Sequence, residues 1–126
     1  MTKFEVLVNR LLKENISIGG NNTRWIDGDI EISLHDVNEY LSNEPLIDIK
    51  IDDIKDLLIK VNRDPKRVDN ADLKYPIIVT MENGDYKKVL DGQHRVVKSI
   101  KNNKDTIKGK VLNLDNAPDD YVYMFS

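Results

Sequence analysis

The chain has 126 residues, of which 33% are charged, with 19 basic against 22 acidic side chains and a formal net charge of -3. It has no cysteine, which excludes a disulfide framework, a thiolate nucleophile, Cys-ligated zinc and redox chemistry on the protein's own sulfur. The acidic balance argues against the broad positive field that drives non-specific nucleic-acid binding, although a local basic patch is compatible with it.

This length suits one domain that buries about two thirds of its unfolded surface in a single core. The apolar stretch from Phe4 to Leu12 is interrupted by Glu5, Asn9 and Arg10. It therefore reads neither as an export signal nor as a membrane span, and the expected location is cytoplasmic with no membrane partner.

Thr2 stands three residues ahead of Glu5, a capping-box spacing, and Phe4, Leu7, Val8, Leu11 and Leu12 follow at helical intervals. A helix over Thr2 to Lys13 is expected, then a loop at Gly19 to Asn22. Ile30 and Ile32 alternate with polar neighbours as in a short strand, and Ser33 with Asp36 is placed to cap a helix carrying Leu34, Val37 and Leu41 on one face.

From Pro45 the pattern is clearer. Ile47, Ile49 and Ile51 predict a strand, and Asp52 or Asp53 starts a predicted helix with Ile54, Leu57, Leu58 and Val61 inward, ending at Asp64-Pro65. A polar stretch through Asp72 leads to a buried strand from Tyr75 to Thr80 with Pro76 at its start. Asn83-Gly84 is a type I′ hairpin signal, and Tyr86 to Leu90 is the partner strand. Val96, Val97 and Ile100 predict a helix that stops at Asn102-Asn103, before a strand from Thr106 to Leu112 and a terminal helix opened by Asn116 and Pro118. The expected organisation is one α+β domain: a helical and strand extension over 1–44, a core over 45–114 and a C-terminal helix over 115–126.

Asp91-Gly92-Gln93-His94-Arg95 falls where a strand hands over to a helix, an arrangement that suits an anion. The first N–H groups of a helix lack intrahelical acceptors, the helix dipole adds positive charge, and glycine admits close approach to the backbone. Arg95 can fork onto two phosphate oxygens, His94 can donate from its ring, and Asp91 can hold Arg95 or a metal. The same residues also have a plain structural reading, as a turn, a helix cap, a structural histidine and a surface cation. A motif this short takes its meaning from context.

That context, a strand, a hairpin, Asp-Gly-Gln-His-Arg, a helix and a strand, resembles the ParB/sulfiredoxin-like superfamily over roughly Leu46 to Leu112. The resemblance implies a small mixed sheet packed by helices, here with an N-terminal helical extension. It also implies a nucleotide-phosphate turn at Gly92, Gln93, His94 and Arg95. Gln93 stands where a sulfiredoxin has its catalytic cysteine, so reduction of a sulfinic acid does not carry over. By ungapped comparison back from Asp64-Pro65, the nucleotide-binding helix of sulfiredoxins corresponds to Asp53, Asp56 and Lys60, of which only Lys60 suits a phosphate or ribose. The overall likeness is to short ParB-like proteins of tailed bacteriophages, often described as ParB-like nucleases, for which the host cytoplasm is the implied location.

The implied ligand is a nucleoside triphosphate, ATP or CTP, with Mg²⁺ arriving on it. If the chain turns over, NTP hydrolysis or phosphoryl transfer through Asp91, His94 and Arg95 fits best. Two rivals stand beside this. One is DNA binding or a nuclease activity working through the basic stretch Lys60, Arg63, Lys66 and Arg67 and the same turn, with Lys87 and Lys88 as further cations on the hairpin. The other is a non-catalytic module that docks a host or phage protein through Tyr121 to Phe125; a homodimer is compatible with each.

Asp27, Asp29 and Glu31 would share one face of a strand and can hold Mg²⁺ there, against the plainer reading of a solvated polar face. Tyr75 and Tyr86 are candidates to stack a base, against the plainer reading that they close the core.

Overall fold

The structure is a computed structural model and describes residues 23–58 and 65–126. The expected helix from Thr2 to Lys13, and Lys60, Val61, Arg63 and Asp64, lie outside the described residues. The fold is mixed α+β. The chain divides into two compact units, Met1–Tyr40 and Leu41–Ser126.

In the first unit, β1 (Arg24–Asp27) and β2 (Ile30–Ser33) form an antiparallel hairpin followed by α1 (Leu34–Tyr40). Gly28, at φ 58°, is the first of the two loop residues, the position where a type II′ turn requires glycine. This corrects the expectation that Asp27, Asp29 and Glu31 share one strand face. Asp27 closes β1, Asp29 is in the turn, and Glu31, opposite Ile26 on β2, accepts a hydrogen bond from Arg24 at 3.2 Å. The helix start matches its expected capping box: Asp36 N–H donates to Ser33 Oγ and Ser33 N–H donates to Asp36 Oδ2, each at 3.0 Å.

The second unit is built on a four-stranded sheet in the order β3-β6-β4-β5, from β3 (Ile47–Lys50), β4 (Ile77–Glu82), β5 (Asp85–Asp91) and β6 (Thr106–Asn113). β4 and β6 are parallel; the outer pairs are antiparallel. A parallel pair needs a crossover, here supplied by β5 and the helix α3 (Gln93–Lys101), whose Val96 joins Ile49, Ile51, Ile54, Ile77, Val79, Val89 and Ile107 in one core cluster. Gly109 lets β3, β6 and β4 close up, because a Cβ there would stand 2.5 Å from Ile49 Cδ1 and 2.9 Å from Ile77 Cγ1. The terminal helix α4 (Asp119–Phe125) buries Phe125 to 1% exposure and sets Tyr121 edge-on against it.

Several elements differ from expectation. The strand over Ile47 to Ile51 stops at Lys50, and Ile51 opens two 3₁₀ turns (Ile51–Asp53 and Lys55–Leu57) in place of the expected helix start. Asp52, Asp53 and Asp56 are weak interior helix formers, and Ile54, at φ -126°, interrupts the helical path while its side chain stays buried. Pro65 opens a helix, α2 (Pro65–Asp69), where its missing N–H is no loss at a first helical position, and the expected end of the preceding helix at Asp64 lies outside the described residues. β4 begins after Pro76 and runs two residues beyond Thr80. On α3 the inward residue one turn after Val96 is Ser99, whereas Ile100 is 41% exposed.

Candidate functional site

The β4–β5 ladder is irregular where it leads into the turn. Val79 pairs with Val89 but Ile78 pairs with Asp91, so Leu90 is an extra residue on the edge strand, and a second shift leaves Lys87 extra between Tyr86 and Lys88. Such bulges bend and twist a strand and re-aim the residues that follow. Here the residue that follows is Asp91.

The chain then leaves β5 through Gly92, at φ 97° and ψ 25°, a left-handed conformation that side chains rarely adopt. Gly92 also has no room for a side chain. A Cβ at this position would lie 2.6 Å from Ile77 Cγ2 and 2.9 Å from both Nε and NH2 of Arg95. The guanidinium is thus folded back over the turn, against the backbone of Gly92. Its NH2 donates to Asp91 Oδ2 at 2.7 Å, with the Arg95 side chain 15% and the Asp91 side chain 23% exposed. Helix α3 starts from the same glycine, whose carbonyl accepts the N–H of Val96 at 3.0 Å. No acidic side chain stands in the first turn of α3, while Lys98 and Lys101 stand in its last, so the polarity of the helix is complemented at its C-terminal end and unopposed from within at its N-terminal end.

The turn therefore brings Asp91, Gly92 and Arg95 into direct contact, and Gln93 and His94 occupy the first helical turn, both half-buried. The Asp91 carboxylate holds Arg95, one of the two partners expected for it. Among the described residues, no group of three or more His, Asp or Glu side chains converges to hold a metal ion.

The other expected residues are dispersed. Lys66 and Arg67 are exposed on α2, and Lys87 and Lys88 are exposed on the edge strand β5. Tyr86 packs against the core cluster, whereas Tyr75 is 62% exposed just ahead of β4. Lys98 is a further residue of this region. Its Nζ donates to the carbonyls of Asp69 at 2.9 Å and Ala71 at 2.8 Å, tying the end of α2 to α3 one turn beyond Arg95. A lysine that serves backbone carbonyls almost thirty residues away leaves no local pattern to find.

Among the described residues, no helix is long and apolar enough to cross a membrane. The chain matches no family model, no curated protein and no solved structure in the comparisons made with each.

Proposed function

We propose that residues 45–114 are a ParB/sulfiredoxin-like nucleotide domain whose Asp91-to-Arg95 turn receives the phosphates of a nucleoside triphosphate, ATP or CTP. The observation that carries this reading is the guanidinium of Arg95, held by Asp91 at 2.7 Å and laid over a left-handed glycine at the start of a helix. A guanidinium has five donors, so one bond to Asp91 leaves further N–H groups to meet phosphate oxygens. Fixing its rotamers in advance reduces the entropy that an anion must overcome to order it.

In this reading Gly92 and the N–H groups after it face the phosphate, Arg95 and His94 balance its charge, and Gln93 lines the turn without redox chemistry. Asp91 acts as a positioning residue for Arg95. Mg²⁺ carried in on a nucleotide would supply charge neutralisation at the phosphates, and if the bound nucleotide is hydrolysed or transfers its phosphoryl group, we assign the proton transfer to His94, with Asp91 as the alternative. The exposed Lys66 and Arg67 on α2 support a second reading, contact with the backbone of DNA.

A thermal-shift screen of ATP, CTP and GTP with and without Mg²⁺, on wild type and Arg95→Ala, tests the first reading. A ligand at a hundred times its dissociation constant stabilises the native state by about 2.7 kcal/mol, which such a screen resolves. A shift in wild type that disappears in the variant supports the phosphate role. Equal shifts in both exclude Arg95 as a phosphate ligand, and salt-sensitive DNA binding without any nucleotide shift favours the second reading.

A further inference from the structure

The tip of the β4–β5 hairpin carries reactive chemistry that the turn at the other end of β5 does not use. Asn83-Gly84 is the chain's one Asn-Gly pair, both residues are exposed, and both sit at positive φ, 53° and 82°. Glu82 pairs with Asp85 around this two-residue loop, so the N–H of Gly84 lies outside the ladder, and nothing stands within 4 Å of the place where a Gly84 side chain would begin. The N–H of Asn83 itself donates to Asp115 Oδ2 at 3.0 Å. Asp115 thus clasps the residue before the glycine, and among the described residues no backbone hydrogen bond engages the N–H of Gly84.

We propose that Asn83 is a site of spontaneous deamidation, and that the modification releases the Asp115 clasp on the hairpin. The backbone nitrogen of Gly84 attacks Cγ of Asn83, the bond from Cγ to the amide nitrogen breaks, and ammonia leaves with the proton that Gly84 gives up. A five-membered succinimide remains. Water opens this ring at one of its two carbonyl carbons, restoring the main chain with an aspartate at 83 or diverting the main chain through Cβ and Cγ as isoaspartate; no electron transfer is involved. Glycine favours the attack because it has no side chain to screen its nitrogen.

Either product places a new carboxylate beside Asp115, Glu82 and Asp85, where like charges repel. Isoaspartate also lengthens the main chain of a loop whose turn type depends on two residues held at positive φ. Asn103 is an internal comparison. It is likewise exposed and at positive φ, 57°, but the nitrogen that would attack its side chain, that of Lys104, donates to the Ser99 carbonyl at 2.9 Å and belongs to a residue with a side chain.

The test incubates the folded protein, and separately a synthetic peptide spanning Met81 to Tyr86, at neutral pH and physiological temperature. Peptide mapping by mass spectrometry then follows the amide at 83, and enzymatic methylation detects isoaspartate. The expected result is loss of the Asn83 amide in the folded protein at a rate comparable to that in the peptide, with the Asn103 amide retained and a lower melting temperature for Asn83→Asp than for wild type. An Asn83 amide that persists in the folded protein while the peptide converts would overturn the proposal, as would equal conversion at Asn103. An undiminished melting temperature for Asn83→Asp would overturn the part assigned to Asp115.

Discussion

Two requirements meet at Gly92, a left-handed backbone and a space already filled by Ile77 and the Arg95 guanidinium. Gly92→Ala is expected to cost about 1–3 kcal/mol in a urea titration, from backbone strain and overpacking together. Because the clash with Ile77 is independent of φ, Gly92→Asn should not recover that loss, although asparagine tolerates the left-handed region. Full stability in either variant would contradict the close packing of Arg95 over the turn. Thr80 poses a different question at the same scale. It is fully buried on β4, and its Oγ1 has no hydrogen-bond partner among the described residues. Thr80→Val keeps the shape and removes the unpaired hydroxyl, so it should be neutral or stabilise by up to about 1 kcal/mol. A clear loss of stability on denaturation would mean that the hydroxyl is satisfied in a way the structure does not record. Asp91, Gly92 and Arg95 were legible as neighbours because a turn glycine and a spacing of four residues are local rules. Leu90 as a bulge was not, since a bulge is a property of two paired strands.

The elements whose ends are set by local chemistry were read closely. α3 ends in a Schellman motif: Lys104 N–H donates to the Ser99 carbonyl at 2.9 Å, Asn103 N–H donates to the Ile100 carbonyl at 3.0 Å, and Asn103 takes the left-handed position. Asn103→Gly should stabilise the protein by a few tenths of a kcal/mol, and Asn103→Val should destabilise it by about 1 kcal/mol or more, both measurable from denaturation midpoints. The same locality explains why Ser33 with Asp36, Asn83-Gly84 and Pro118 pointed to their elements. At β1 two local signals compete: Gly28-Asp29 marks a hairpin, whereas the alternation of Asp27, Asp29 and Glu31 mimics a single strand. The run from Ile51 to Leu57 failed for another reason. Its apolar spacing is helical, but burying Ile51 and Ile54 on successive 3₁₀ turns satisfies the same spacing, so periodicity alone does not distinguish the two.

At the scale of the molecule, the charge is unevenly divided. Residues 1–40 hold four basic and seven acidic side chains, and residues 41–126 hold fifteen of each, so the unit that carries the turn is neutral and the whole excess of acid belongs to the other. The net charge of the full chain is therefore not that of the unit that carries the turn. The mixed sheet gives that unit its polarity. β5 and α3 together form the crossover between the parallel strands β4 and β6, and the turn is the joint of that crossover. The most direct measurement of the central claim is an amide nuclear magnetic resonance titration of the protein with Mg²⁺ and ATP or CTP. Binding at the turn predicts that the largest shifts fall on Gly92, Gln93, His94 and Arg95, with the Asn83-Gly84 tip unmoved. Shifts centred elsewhere, or none at saturating nucleotide, would contradict it.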